Sequence, residues 1–395
     1  MIEKVQKHTY YMLVFLYTLY YLLPFMNITT KAVPVRTLIQ FIVFLVITSL
    51  CMVQIILFFS DFNTKFFLIG ILFSFLFMLG VRHMDNNLYA LTVELLLCLF
   101  AWKKNYRIIL KCMFMAYLVI MVVSCIGLLG FTQESAKPYR TLHGFSFGTV
   151  YPNTWGHMLF LVLMIIWYLY LQTDLITTFY LFWISGCFTY VGVRCKTAGV
   201  LMILFPIVWY FSRKTDMKKG LVLRFAVLSP LIAFVLTLLL CWHGEWIHNL
   251  LNGHYFLYGI AMRFIQGGLA FSFNGFHLFG HRIEGMYQTG YGNVMLTVID
   301  NPYVGYGIAR GFLWLVGAVL CWIISNIKCM LNKNIALLTI SVFMAIVSMM
   351  EIHGLDVGWN VIFLYLLADG MENNKKVVLF DNQIKEMIKE TNDST

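Results

Sequence analysis

Residues 222–254 read VLRFAVLSPLIAFVLTLLLCWHGEWIHNLLNGH and contain the change in composition that decides the fold. Residues 222–241 are almost entirely apolar, and their number matches the roughly 20 residues that an α-helix needs to cross about 30 Å of hydrocarbon. From Trp242 to Gly311, histidines, arginines, glycines and aromatic residues become frequent. We therefore expect a membrane-spanning helix that leads into a long loop rich in chemically useful side chains.

The whole chain has the composition of a polytopic membrane protein. Of its 395 residues 61% are apolar and 12% are charged, with a mean hydropathy of +0.79, whereas soluble domains are roughly 45–50% apolar and 25% charged. We expect an all-α transmembrane domain over residues 1–370 with about twelve spans, a large outer loop at 243–302 and a charged cytoplasmic tail at 371–395. The apolar runs are 9–26, 35–59, 65–81, 88–101, 107–130, 154–172, 177–193, 197–211, 222–241, 303–327, 335–350 and 357–370.

Two segments do not fit a simple span. Segment 255–279 is apolar enough to cross, but an extra crossing would move the later lysines outside, and its glycines interrupt the run. We therefore expect an interfacial or re-entrant helix within the outer loop. Glu94 lies in the middle of run 88–101. Because a carboxylate at the bilayer centre costs roughly 2.5–3.5 kcal/mol on insertion scales, we expect Glu94 to face other helices.

The lysines and arginines predict the orientation. With the N-terminus inside, most of them fall on the cytoplasmic side, which places both termini in the cytoplasm and the chain in the plasma membrane. The formal net charge of +10 then reflects topology and contact with anionic lipid. Nucleic acid is not an expected partner, because no basic face with stacking aromatics forms a soluble module.

The remaining basic residues run against this bias, because they fall outside or near the outer ends of helices. A phosphate-bearing substrate on the outer face would explain them, and snorkelling to lipid headgroups or pairing with loop acids is the alternative. These residues are Lys31, Arg36, Arg82, Lys137, Arg140, Arg194, Lys196, Arg263, Arg282 and Arg310.

Familiar signatures of soluble enzymes are missing from the sequence. It contains no GxxxxGK[ST], GxGxxG or HExxH motif. It also lacks the Asp-x-Asp pair that a metal-dependent sugar transferase would offer to a divalent cation, and its nine cysteines have no metal-ligand spacing. We expect no metal and no cofactor, so an enzyme of this kind would neutralise its leaving group with arginine and lysine.

Several loose motifs follow one another in a specific order. They are Gly144-Phe145 leading to Tyr151-Pro152-Asn153, Cys195-Lys196-Thr197-Ala198, Asn249–His254 (NLLNGH), Asn274–Ile283 (NGFHLFGHRI), and Ile299–Val304 (IDNPYV) with Gly311. Over roughly residues 140–311 this order resembles the Wzy-type polymerases of O-antigen and capsular repeat units, as found in Gram-positive bacteria, with Glu351 and Asn360 as a weaker match. The family has an arginine where this chain has His254, and Arg263 or Arg282 would supply the missing guanidinium.

The resemblance implies a metal-independent glycosyltransferase of the membrane's outer face. It would move a growing oligosaccharide from polyprenyl diphosphate to a lipid-linked repeat unit, in capsule, exopolysaccharide or O-antigen synthesis, alongside a flippase and a chain-length regulator. The acceptor hydroxyl needs a general base, with His254, His281, Asp300 and Glu351 as the candidate catalytic residues. The candidate residues for binding diphosphate or glycan are Arg194, Lys196, Arg263, Arg282 and Arg310, with Asn301 and Tyr303.

Each candidate also has a structural interpretation. Asp300 and Asn301 are typical helix caps, Arg194 and Lys196 suit a tight interhelical turn, and Tyr303 suits an interfacial aromatic belt. Arg310 lies about seven residues, or roughly 10 Å, into its predicted span, and we expect it to face the cavity and bind the carrier diphosphate. The alternative functions are an O-antigen-ligase-like transferase and a lipid-linked oligosaccharide flippase or transporter.

Overall fold

The computed structural model describes residues 2–59, 88–127, 132, 145–213, 221–251, 258–281, 286–289, 292–295, 299 and 301–369. These residues are helical apart from loops and one antiparallel hairpin, β1 (Met286–Thr289) with β2 (Gly292–Met295). The helical stretches Thr30–Leu57, Tyr106–Gly127, Pro152–Leu171, Leu175–Val193 and Phe312–Leu331 are long and apolar enough to cross a membrane. The expected class, an all-α membrane protein, is confirmed, while the count of twelve spans stays a prediction.

The described helices are numbered here in chain order. They are α1 (Ile2–Leu22), α2 (Val33–Phe59), α3 (Leu88–Phe100), α4 (Tyr106–Gly127), α5 (Pro152–Ile166), α6 (Leu175–Phe188), α7 (Lys196–Arg213), α8 (Leu221–Val227), α9 (Ser229–Trp242), α10 (Gly244–Leu251), α11 (Tyr258–Asn274), α12 (Pro302–Ala309), α13 (Phe312–Leu331), α14 (Ile335–Ser348) and α15 (Ile362–Tyr365). The helices α5 and α6 continue as π-helical turns, Trp167–Leu171 and Thr189–Val193.

The prediction of one continuous span at 303–327 is wrong. The helix breaks between α12 and α13 at Gly311, whose φ of 97° lies in the region that glycine tolerates best. The break makes room for the preceding loop, because Phe312 N donates to His277 O at 2.8 Å and a Cβ at Gly311 would lie 2.5 Å from Gly280 N. Arg310 is therefore the C-terminal cap of α12 and does not sit inside a long helix.

The run at 357–370 was expected to be a spanning helix, and that prediction is also wrong for the described part of the run. Its only α-helix in residues 357–369 is α15, which has four residues. A 3₁₀ turn, Ile352–Leu355, precedes it, and the backbone N–H groups of Trp359 and Asn360 both donate to Asp356 O. Asn360 then donates from Nδ2 to Gly354 O at 3.0 Å. This bond from a side chain to the backbone competes with a regular helix. The run predicted at 65–81 lies outside the described residues.

The polar contacts at one end of the bundle bring the two ends of the described chain together. Asn105 N donates to the Tyr11 hydroxyl at 3.0 Å, and Asp369 N donates to Lys104 O at 2.7 Å. Arg107 reaches Leu169 O, and Lys328 Nζ reaches Tyr365 O. We call this the N-terminal end. Three basic residues that we expect on the cytoplasmic side, Lys104, Arg107 and Lys328, therefore share one end, as the topology requires.

The opposite end holds the turns that follow α1, α6 and α14. Val150 N donates to Phe25 O at 2.8 Å, and Phe145 N donates to Gly192 O at 3.1 Å. Here the segment predicted as a large outer loop contributes α10 and α11. A cavity of about 890 Å³ is lined mainly by α9, α10 and α11. Helix α11 packs against α9 so closely that a Cβ at Gly268 would lie 2.3 Å from Cys241 O.

Candidate functional site

Three ionisable side chains from distant parts of the chain meet near the end opposite the termini. Glu351 Oε1 lies 2.8 Å from an Nη atom of Arg263 and 3.0 Å from Nε2 of His157. The side chains of His157 and Arg263 are 5% and 9% exposed, whereas that of Glu351 is 17% exposed. We call these three residues the ionic cluster. The side chain of Glu351 is therefore the most exposed member of the cluster.

Local helix geometry explains how the ionic cluster is positioned. Pro152 starts α5 at the position where proline is best tolerated, and His157 follows just over one turn later. Glu351 N still donates to Val347 O, so the chain keeps its helical course just past α14. Asn301 links α12 to the chain just past α14. Its Oδ1 accepts from Val304 N at 3.2 Å and so caps α12. Its Nδ2 donates at 3.0 Å to the carbonyl oxygen of Met349, two residues before Glu351.

The charge state of Glu351 is set by its two partners. Burial by itself raises the pKa of this carboxyl, but Arg263 and His157 outweigh burial and hold the pKa at about 2. Glu351 is therefore ionised at neutral pH. A general base works best with a pKa near the operating pH, so Glu351 is better suited to positioning Arg263 and His157 than to accepting the proton of a substrate.

The turn between α6 and α7 packs directly beside the ionic cluster. A Cβ at Gly156, the neighbour of His157, would lie 2.5 Å from the Cβ of Cys195, and the Cys195 thiol donates to Asn153 O at 3.7 Å. Arg194 adopts a left-handed conformation with φ of 64°, which lets the chain reverse in two residues. Arg194 and Lys196, which flank Cys195, therefore belong to the same corner of the molecule as His157.

The structure thus gathers part of the predicted site. Arg263 and Glu351 are in contact, and Arg194 and Lys196 lie in the adjacent turn. Asn301 is a helix cap, as its structural interpretation predicts. It also bonds to the carbonyl of Met349, which lies two residues before Glu351. Three other candidates, His254, Arg282 and Asp300, lie outside the described residues.

Two further candidates lie apart from the ionic cluster. The Tyr303 ring is fully buried against Phe234, at a centroid distance of 5.8 Å. It packs in the core, so the expectation of sugar stacking or an interfacial position is wrong for Tyr303. His281 N donates to Ile308 O, about 10 Å along α12 from Asn301. Its Nε2 lies 3.3 Å from Asn274 Oδ1.

Arg310 belongs to a second group of charges, deeper in the bundle. Its guanidinium donates from Nη2 to Asp356 Oδ1 at 3.1 Å and lies 4.0 Å from Glu94 Oε2. It also stacks over the rings of Tyr306 and Trp314, at 3.9 and 4.7 Å from their centroids. We call Glu94, Arg310 and Asp356 the mid-bundle cluster. The guanidinium is 6% exposed and already paired with acids, so the expectation that it faces a cavity is wrong.

Tyrosine hydroxyls surround the two acids of the mid-bundle cluster. Tyr21 and Tyr306 each donate to Asp356 Oδ2 at 2.5 Å, and Tyr17 donates to Glu94 Oε1 at 3.0 Å. Val357 N also donates to Glu94 Oε1, at 3.2 Å. The prediction that Glu94 faces other helices is confirmed, because its partners come from α1 and from the segment before α15.

His157 and Asp356 were absent from the predicted site, although the sequence contains a signal for each. His157 is an ionisable residue inside the apolar run at 154–172, and Asp356 immediately precedes the run at 357–370. Ionisable residues at such positions usually face the bundle interior and pair with one another. Their partners could not be read from the sequence, because Glu351 and Arg310 are distant along the chain.

No protein-family model, no curated protein and no solved structure matches this chain. The fold and the site by themselves define an all-α membrane protein with two charged clusters. The Arg–Glu–His cluster at one end of the bundle is partly exposed, and the Arg–Asp–Glu cluster near the middle is buried.

Proposed function

We propose that the chain is a glycan polymerase of the outer face of the cytoplasmic membrane. It would transfer a growing oligosaccharide from polyprenyl diphosphate to a lipid-linked repeat unit without a metal ion. The observation that carries the proposal is the ionic cluster, because Arg263 and Glu351 were both candidates from the motif resemblance and lie in contact. Their position at the end away from the termini agrees with a site on the outer face, given cytoplasmic termini.

The reaction defines what the site must supply. The oxygen of an acceptor hydroxyl forms a bond to C1 of the donor sugar, and the bond between C1 and the diphosphate oxygen breaks. The hydroxyl proton passes to a base, and the electron pair of the broken bond leaves with the polyprenyl diphosphate. Negative charge therefore grows on the diphosphate, and preorganised cations in a partly dry site stabilise that charge best. Arg263, with Arg194 and Lys196 in the adjacent turn, would provide them.

Within this proposal Glu351 is a positioning residue. It holds the Arg263 guanidinium, whose planar fork matches phosphate oxygens, and it orients the imidazole of His157. His157 shares this carboxylate with Arg263 and acts as the second cation of the cluster. The acceptor proton would then pass to one of the bases that the motifs suggest, which are His254, His281 and Asp300.

The test of this function is glycan length in a strain that lacks the gene. Deletion should leave glycans of one repeat unit while lipid-linked units still reach the outer leaflet. Long glycans that remain on the lipid carrier would indicate a ligase. Units trapped in the inner leaflet would indicate a flippase, and either of these results would overturn the polymerase.

Substitutions at Arg263 test the ionic cluster itself. Arg263→Ala should reduce long chains by at least about tenfold, because the diphosphate loses a charge-assisted bond worth roughly 1.5–3 kcal/mol. Arg263→Lys should keep part of the activity, since it retains the charge but not the fork. The matched control is Lys31→Ala, at an exposed cation at the same end of the bundle. Wild-type chain lengths in Arg263→Ala, at normal protein level, would exclude Arg263 from the site.

Orientation has its own test, in a background without native cysteines. A cysteine at His243, which is exposed at the end of α9, should react with an impermeant reagent from outside. A cysteine at Lys333, in the turn between α13 and α14, should react only after permeabilisation. The reverse pattern would place the ionic cluster in the cytoplasm and exclude a reaction at the outer leaflet.

A further inference from the structure

An apolar groove runs along the outside of α14. Its floor is α14 from Ile335 to Met349, its walls are α7 on one side and α8 with α9 on the other, and its volume is about 420 Å³. The floor runs over 15 residues, from the start of α14 to its C-terminal cap Met349, or roughly 20 Å at 1.5 Å per residue. This length is about two thirds of the hydrocarbon thickness of a bilayer. The groove is thus long and narrow, unlike a compact small-molecule pocket.

Two of the side chains that line the groove are well exposed on the outside of the bundle. On α9, Leu236 lines the groove and is 44% exposed, and Ile346 on the floor is 36% exposed. Small residues, Ala226, Ser229 and Ala233, follow one another along the wall formed by α8 and α9. They recur on one helical face and leave room for a chain that carries side branches.

The groove ends at the same end of α14 as the ionic cluster. Met349, the last floor residue, lies two positions before Glu351, and its carbonyl accepts the bond from Asn301. A molecule lying in the groove with its polar head at Met349 would therefore have that head at the end of the bundle that holds Arg263 and the turn with Arg194 and Lys196. An anionic head suits this end, because among the side chains that the structure describes there these three cations stand against the carboxylate of Glu351. The required ligand combines a long apolar chain with an anionic head.

We infer that this groove binds the isoprenoid chain of a lipid-linked diphosphate, with the diphosphate at the ionic cluster. The inference rests on the proposed function, because that function requires a polyprenyl carrier. The methyl branches of an isoprenoid would occupy the recesses at the small residues, whereas a straight acyl chain would leave those recesses empty and lose the contacts. The groove takes the part of the chain next to the diphosphate, and the rest lies in the bilayer.

The test uses the purified full chain in lipid nanodiscs and a photoreactive geranylgeranyl diphosphate. Labelling should map to peptides of α9 and α14. Unlabelled geranylgeranyl diphosphate should compete at least about tenfold better than oleyl diphosphate, which has the same head and a straight chain. Equal competition by the two would show a general lipid-facing surface and overturn the inference.

Matched variants locate the site on the groove. Leu236→Trp fills the groove from an exposed wall position and should lower labelling about tenfold. Leu239→Trp changes the same residue type on the same helix, at a position that is 53% exposed and outside the groove, and should leave labelling unchanged. Ala233→Phe, a filling variant from the buried side of the wall, should repeat the loss. Equal labelling in Leu236→Trp and Leu239→Trp would overturn the assignment. A dimer in native mass spectrometry, with these positions shielded at the interface between the two copies, would also overturn it.

The labelling experiment tests the groove, the deletion strain tests the polymerase, and either proposal can be rejected without the other. Selective labelling of the groove together with normal glycan length in the deletion strain would keep the isoprenoid site and reject the polymerase. Single-unit glycans without selective labelling would keep the polymerase and reject the groove.

Discussion

The two charged clusters use the same kinds of side chain and differ in how completely those side chains are enclosed. In the mid-bundle cluster, Asp356 accepts bonds from Arg310 and two tyrosine hydroxyls, and the charged side chains are 2–6% exposed. In the ionic cluster, the carboxylate of Glu351 is 17% exposed. Charges that are enclosed and hydrogen-bonded on all sides hold helices together, whereas a partly open pair can exchange its partner for a ligand.

The balance of charge also differs between the two clusters. The mid-bundle cluster sets the carboxyl groups of Glu94 and Asp356 against one guanidinium and surrounds them with tyrosine hydroxyls and a backbone N–H. The ionic cluster sets one carboxylate against a guanidinium and an imidazole, and further basic residues lie in the next turn. An anion is therefore attracted to the ionic cluster, whereas the guanidinium of the mid-bundle cluster is already paired with Asp356. Breaking each cluster separately should give different phenotypes.

The largest expected effect is on folding, from Arg310→Ala. This change leaves the buried carboxylate of Asp356 without its cation, and breaking a buried ion pair costs roughly 3–5 kcal/mol. Arg310→Ala should therefore lower the thermal unfolding temperature in detergent and the amount of folded protein in the membrane. Lys31→Ala, at an exposed cation, should change neither. Normal folding of Arg310→Ala with loss of long chains would instead return Arg310 to the substrate site.

The next effect concerns the pH dependence of stability at Glu351. Its pKa falls from an ordinary value of 4.5 to about 2 on folding, so its stabilisation is present above about pH 4.5 and is lost as the pH falls toward 2. A shift of this size corresponds to roughly 3 kcal/mol. The unfolding temperature of the wild type should exceed that of Glu351→Gln by a margin that does not narrow between pH 7 and pH 5.

Below about pH 4.5 this margin should narrow. A margin that already narrows between pH 7 and pH 5 would show that Glu351 titrates near neutrality. The ionic cluster would then lack a permanently ionised carboxylate, and Glu351 would return to the list of candidate bases.

The smallest effect separates structure from chemistry within the mid-bundle cluster. Tyr21→Phe removes one of the two hydroxyl donors to Asp356 and keeps the ring, so it should cost roughly 1–3 kcal/mol of stability. Glycan length should stay at the wild-type value, because Asp356 keeps its bonds from Arg310 and Tyr306. Shortened glycans in Tyr21→Phe, at normal protein level, would give the mid-bundle cluster a role in the reaction and erase the distinction between the two clusters.

Local sequence features predicted much of the secondary structure. The runs at 35–59, 107–130 and 177–193 correspond to α2, α4 and α6 with its π-helical turn, because hydropathy and helix length are properties of neighbouring residues. The helix-cap interpretation of Asn301 was also correct for the same reason. The break at Gly311 was not predicted, since it depends on the loop at His277–Gly280 that packs against it.

By itself the sequence determined that this chain is helical and built for a membrane, and it indicated which residues are too polar for lipid and must find partners. Only the tertiary structure decided what those partners are. Glu94 meets Val357, 263 residues away, and Glu351 meets both His157 and Arg263. Hydropathy reports the cost of placing one residue in hydrocarbon, whereas a charge pair depends on which helices pack together. Only the packed bundle could therefore show which of Arg310 and Arg263 belongs to the more exposed cluster.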